Sequence, residues 1–168
     1  MCRRSNLIQS IAAFTPMGKQ FYGYQKNDFY PLRSYGGIYS PYVNIYKSQT
    51  YRNFEEPYLT NVISVAAVRN PELNGDGTLT AKAEQITKEK IKTILRIAIL
   101  NGHSKLVLSA FGCGAFGNPP REIARCFKEI LESPEFKHSF SEICFAVIND
   151  HNAKGEGNYK PFKDIFGE

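Results

Sequence analysis

The 168-residue chain is short of the features that mark several common classes of protein. It has no apolar run long enough to span a membrane. Arg3 and Arg4 followed by Leu7 to Phe14 faintly imitate a signal peptide, but Asn6, Gln9 and Ser10 interrupt the run and suit a short amphipathic helix better. No five like charges stand together, which excludes a nucleic-acid tail of the usual kind. The four cysteines, Cys2, Cys113, Cys126 and Cys144, include no C-x-x-C pair, and no histidine clusters with them, so neither a zinc site nor any other metal or cofactor is expected. Cys126 and Cys144 sit in apolar patterns and read as core residues. Unpaired thiols of this kind point to a reducing compartment, the cytoplasm. There is no internal repeat and no second domain boundary; residues 1–168 read as one domain with enough chain to bury a core.

What is present is a net charge of +5 and a pI near 9.0, which suit either a phosphate-bearing partner or a solvated basic surface. Nine of the ten tyrosines lie between residues 18 and 58, with Phe21, Phe29 and Phe54. Basic residues are sparse among these rings, so a coat over the core fits better than a base-stacking platform. The region is punctuated by Pro31, Gly36, Gly37, Pro41 and Pro57, and Val43 to Tyr46 alternates as a strand does. Residues 5 to 14 suggest a short helix. Val62 to Val68 is a further strand, and Asn70-Pro71 and Asn74-Gly75-Asp76-Gly77 mark a surface loop; Asp76 lacks the rest of a calcium loop.

Ala81 to Asn101 carries the clearest helical stripe, Ile86, Ile91, Ile94, Leu95 and Ala98, with Thr80 placed to cap its start and Gly102 its end. The central stretch follows. Leu106, Val107 and Leu108 read as a strand buried on both faces, and Ile123, Phe127 and Ile130 as the apolar face of a helix. Between them lies Phe111-Gly112-Cys113-Gly114-Ala115-Phe116-Gly117-Asn118-Pro119-Pro120. Gly112, Gly114 and Gly117 allow a sharp turn with bare backbone, Asn118 is a candidate N-cap, and a proline at the first helical position loses nothing. A strand, a glycine loop and a helix N-terminus in that order suit a phosphate. Cys113 is a candidate activated thiolate, though no histidine stands near it in sequence. Ile143 to Ile148 is a last strand, and Phe162 and Phe166 are anchors for the polar C-terminal stretch. The alternation of strand and helix implies an α/β fold with a mostly parallel sheet. A ligand then sits beyond the strand ends, where the loop from Gly112 to Asn118 should meet Asn149 and Asp150.

The run from Ser109 to Pro120 resembles the bacterial-type poly(ADP-ribose) glycohydrolases, a branch of the macrodomain superfamily. The resemblance extends to Cys2-Arg3-Arg4-Ser5-Asn6-Leu7, to Ile38-Tyr39-Ser40-Pro41, to Val62 to Ala67 and to Phe145-Ala146-Val147. It implies a macrodomain-like three-layer α/β/α fold, shortened at the N-terminus. It implies ADP-ribose, or an ADP-ribosylated protein, as the partner, held by Gly112, Cys113, Gly114, Ala115, Phe116, Gly117 and Asn118 around the diphosphate. Phe116 would lie near the distal ribose, with Asn149 and Asp150 toward the adenosine half. In that family a triple glycine followed by Gln-Glu-Glu precedes the Cys-Arg-Arg-Ser segment and supplies the general acid. Glu55-Glu56 is the one Glu pair here and follows no glycines. The expectation is therefore ADP-ribose recognition without hydrolysis, with catalytic residues unassigned. A homo-oligomer or a partner chain would cover the N-terminal gap. The alternatives left open are a hydrolase using a carboxylate from elsewhere, a dinucleotide binder and a single-stranded nucleic-acid binder. The dinucleotide reading is weakened because the last strand ends roughly 30 residues beyond Gly117, against the usual spacing of about 20.

Overall fold

The structure, a computed structural model, describes residues 2–12 and 34–167. The tyrosine-rich segment from 18 to 33 lies outside the described residues. Two compact units divide the chain, Met1–Val65 and Ala66–Glu168.

The first unit is built on a long antiparallel ladder of β1 (Gly37–Lys47) and β2 (Asn53–Val65). Pro41 has no N–H to give to a ladder, and the chain accommodates it with a bulge. Ser40 pairs with Val62 and Val43 with Thr60, so Pro41 and Tyr42 together oppose Asn61. Tyr42 takes a positive φ of 54° there, and its N–H donates to the Asn61 side chain at 3.0 Å. A 3-10 turn (Cys2–Arg4) and the short helix α1 (Leu7–Ala12) pack onto β1. Asn6 holds them by accepting from the Asn44 N–H at 2.8 Å, while Leu7, Val43 and Ile45 form a small core. The helix expected over 5–14 is present and starts at Leu7; residues 13 and 14 lie outside the described residues. The strand expected over Val62–Val68 is the end of β2, and it pairs antiparallel with β1, not in a common ladder with the later strands.

The second unit holds α2 (Ala81–Leu100), β3 (Lys105–Leu108), α3 (Pro120–Leu131), β4 (Glu142–Phe145) and α4 (Tyr159–Phe166). Both caps of α2 are where the sequence places them: the Thr80 hydroxyl accepts from Ala83 N–H, and Gly102 takes φ 73° just past the end. β3 and β4 pair in parallel, Leu106 beside Ile143 and Leu108 beside Phe145, as the strand–loop–helix–strand order requires. β3 matches the expected run, and β4 ends at Phe145, short of the expected Ile148. Leu106, Leu108, Ile143 and Phe145 face a core of Ile91, Leu95, Ile123, Phe127, Ile130 and Phe136. Phe145 stacks on Phe166 at 4.4 Å and meets Phe127 edge-on at 5.3 Å, so the predicted C-terminal anchors do hold α4 in place.

Two burial expectations fail here. Side chains alternate across a strand, and only one face of the pair meets this core. Val107 is 76 % exposed, and its parallel neighbour Cys144 is also exposed. β3 is therefore not buried on both faces, and Cys144 is not a core residue. Cys126 is fully buried, as expected.

A side-chain network ties α2 to α3. Arg125 reaches Glu84, Glu122 and Glu129, and Lys88 bridges Glu84 and Glu129. Lys88 first, and then Arg125, holds the Glu84 carboxyl below the usual glutamate range. No helix among the described residues is long and apolar enough to cross a membrane.

Candidate functional site

Each glycine of the loop has a separate physical reason. Gly112 takes φ +75°, and a Cβ there would sit 2.5 Å from Asn118 Nδ2 and 2.7 Å from Ala67 Cβ. Gly117 takes φ +69°, and a Cβ there would meet only Asn70 Oδ1 at an ordinary 3.8 Å, so only its backbone conformation asks for glycine. Gly114 has neither constraint; a Cβ there would point toward the Asn152 side chain at 3.9 Å. Gly114 thus keeps bare the part of the loop that looks across at residue 152.

Asn118 is the keystone of the loop, and it is not the helix cap that the sequence suggests. α3 begins at Pro120 behind Pro119, with no side-chain cap. The Asn118 amide, on a residue 2 % exposed, donates to Val68 O at 2.7 Å and to Gly112 O at 3.0 Å. Capping would require its oxygen to face the helix N–H groups. Here its Nδ2 is spent on orphan carbonyls of the preceding chain, which are costly to leave unpaired when buried. Gly112 must be bare because this amide lies against it. The loop closes further through Asn118 N–H to Gly112 O, Gly117 N–H to Gly114 O and Asn70 N–H to Phe116 O, at 2.8 to 3.1 Å.

These contacts leave three consecutive N–H groups, those of Gly114, Ala115 and Phe116, without an acceptor among the described residues. Successive free N–H groups in a turn form an anion cradle. The adjacent start of α3 adds its positive dipole end, although Pro119 and Pro120 remove two of the donors a helix start normally offers.

Cys113 is not an activated thiolate. Its side chain is 5 % exposed, its Sγ lies 3.8 Å from Phe111 O as a weak donor, and burial pushes its pKa up to about 12. A thiol in that state is a poor nucleophile at neutral pH.

The loop forms one wall of a cleft of about 420 Å³. Of the residues singled out in the sequence, Cys113, Gly114, Ala115, Gly117 and Asn118 line it. Phe116, 38 % exposed, and Gly112 are not among the residues that line it. The opposite wall comes from the turn after β4, but through other residues than expected. Asn149 and Asp150 are occupied within the turn itself. Asn149 Oδ1 accepts from Asn158 N–H at 2.8 Å and Tyr159 N–H at 2.9 Å, capping α4. Asp150 accepts from the Asn152 N–H, and that bond, then the Asn152 side chain, holds its pKa below the ordinary aspartate value. His151, Asn152, Lys154 and Asn158 line the cleft instead. The signal for them in the sequence was slight: a lysine and two asparagines in a turn marked by Gly155 and Gly157, just past the last strand.

No aspartate or glutamate lines the cleft among the described residues. Glu55 and Glu56 lie exposed in β2. No group of three or more metal-ligating side chains occurs among the described residues, and Asp76 is engaged by the Thr78 N–H and hydroxyl in its own turn.

A parallel strand leading through a bare-backbone loop into a helix, facing the turn beyond the next strand, defines a mixed α/β domain with an anion cradle at its strand ends. No family model and no curated protein matches the sequence. Solved structures do. The poly(ADP-ribose) glycohydrolase of Deinococcus radiodurans, as a mutant in complex with ADP-ribose, aligns over 98 % of this chain and 65 % of its own, at 25 % identity and a TM-score of 0.75. That of Thermomonospora curvata aligns over 97 % of this chain and 57 % of its own, at 29 % identity and a TM-score of 0.76. A mutant of the Thermomonospora curvata enzyme reaches 31 % identity over 77 % of this chain and 48 % of its own. The chain is related to the bacterial poly(ADP-ribose) glycohydrolases and shares their α/β fold. It spans less than two thirds of the length of these structures.

Proposed function

We propose that this chain recognises ADP-ribose, free or attached to a protein, by holding its diphosphate in the cradle of Gly114, Ala115 and Phe116. The observation that carries this reading is the set of three unpaired N–H groups beside a cleft, in a fold shared with structures that hold ADP-ribose. Backbone donors cannot be removed by side-chain substitution, so the grip belongs to the loop's shape and not to Cys113. Calorimetric titration should show ADP-ribose binding more tightly than AMP, and Cys113→Ala should retain binding. Equal affinity for the two nucleotides would refute the diphosphate grip.

Hydrolysis of a glycosidic bond needs a carboxyl group at the leaving oxygen. The cleft wall offers none, so our reading of this chain is recognition without turnover. General acid catalysis contributes about 10²- to 10⁴-fold, and its loss should leave release of ADP-ribose from a modified protein at background. The second reading, an active glycohydrolase, draws on the same structural relatives and requires a carboxylate from outside the described cleft. Robust release by the pure chain would establish that second reading.

A further inference from the structure

The cradle of free N–H groups is one half of an anion site, and the turn after β4 is the half that no sequence motif assigned. Its most basic member is Lys154, an exposed residue lining the cleft. Lys154 makes no side-chain ion pair or hydrogen bond among the described residues. The neighbouring acidic groups are spoken for. Glu156 receives the Arg121 guanidinium through contacts of 3.0 to 3.1 Å, and Asp164 receives it at 2.9 Å. Asp150 accepts from Asn152. Arg121, the second residue of α3, is paired with Glu156 and Asp164. Among the described residues that line the cleft, Lys154 is the one lysine or arginine.

The position of Lys154 is fixed by the backbone. Gly157 N–H donates to Lys154 O at 2.9 Å, closing a tight turn. Gly157 takes φ +80°, with the Asn149 amide where its Cβ would be, 2.6 Å away. Asn149 then caps α4, so turn and helix form one unit. The same wall also holds a buried asparagine. Asn158 is 5 % exposed and lines the cleft, its N–H is taken by Asn149, and its Oδ1 has no partner. That acceptor needs a donor, which a diphosphate does not carry, so Asn158 is not counted as a phosphate contact.

We propose that Lys154 is a phosphate-binding residue of this cleft, neutralising the diphosphate from the side opposite the glycine loop and setting the preference for doubly charged ligands. This rests on the reading of the cleft as a diphosphate site. Placed in water-accessible surroundings, such a contact is modest and salt-sensitive.

The test titrates ADP-ribose and, separately, inorganic pyrophosphate into the full chain and into Lys154→Gln, Lys154→Arg and Arg121→Gln. Lys154→Gln should weaken both ligands about fivefold at low salt, with the difference shrinking toward 1 M salt as screening grows. Lys154→Arg should restore most of the affinity. Arg121→Gln should lower thermal stability and leave affinity within about twofold, because its charge is already paired. Wild-type affinity in Lys154→Gln, or a Lys154→Arg as weak as the glutamine variant, overturns the proposal. A wild-type chain that binds pyrophosphate but not ADP-ribose refutes the ADP-ribose reading, and the pyrophosphate series still decides on Lys154. A chain that binds neither overturns both.

Discussion

The three loop glycines offer a test in which one chemical change, glycine to alanine, should have three different outcomes. At Gly112 the added methyl meets two obstacles. The left-handed φ of +75° costs a non-glycine residue about 1 kcal/mol. The methyl would also lie 2.5 Å from Asn118 Nδ2 and 2.7 Å from Ala67 Cβ, inside van der Waals contact, so the Asn118 amide must leave. That movement breaks its bonds to Val68 O and Gly112 O, worth about 1 kcal/mol each, in a buried place where the carbonyls find no replacement. The sum is about 3–4 kcal/mol, a large share of a typical domain stability of about 5–15 kcal/mol. At Gly117 only the φ of +69° matters, and the loss should be about 1 kcal/mol. At Gly114 neither obstacle exists, and stability should change by less than about 0.5 kcal/mol. The methyl there crowds the bare strip facing Asn152, so Gly114→Ala should instead weaken ADP-ribose by about tenfold. Urea melts followed by circular dichroism give the first ranking, and calorimetry the second. A Gly112→Ala variant as stable as Gly117→Ala would refute the role given to the Asn118 clamp. A Gly114→Ala variant that binds normally would refute the cradle.

Three further expectations follow from other contacts. Asn149→Ala removes a cap worth about 1 kcal/mol and frees the turn that carries Lys154, so urea melts and ADP-ribose titrations should both show a loss; unchanged values in both would mean the cap is idle. Burial raises the pKa values of Cys113 and Cys126 from 9.0 to about 12, so the folded state keeps protons that the unfolded state releases. Their contribution to stability is full below pH 9 and is lost as the pH rises toward 12, at about 1.4 kcal/mol per pH unit per thiol. The double variant Cys113→Ala, Cys126→Ala should lose that slope in alkaline melts, and an unchanged slope would place the effect elsewhere. Arg125→Met should cost about 1–2 kcal/mol by releasing Glu84, Glu122 and Glu129 from α3 and its neighbour α2. The loss should shrink in high salt; a loss indifferent to salt would mean packing by the arginine stem, and not charge, carries the contact.

The local determinants of this protein could be read from the sequence because they act over a few residues. Thr80 and Gly102 bound α2 through contacts three or four positions away, and the apolar spacing of Ile123, Phe127 and Ile130 set the buried face of α3. The order strand, glycine loop, helix, strand sufficed to expect β3 parallel to β4. The tertiary structure alone decided which groups of the site are free, since that depends on partners distant in sequence. Asn118 has the composition of a helix cap, but Val68, fifty positions earlier, claims its amide. Arg121 is paired with Glu156 and Asp164, 35 and 43 positions later. Asn149 and Asp150 stand at the predicted strand end and bond within the turn they fold, while His151, Asn152, Lys154 and Asn158 of the same turn line the cleft. Hydrogen-bonding capacity is finite, so a polar side chain bonded within the fold has less left for any other partner, and only the folded chain shows which bonds it makes.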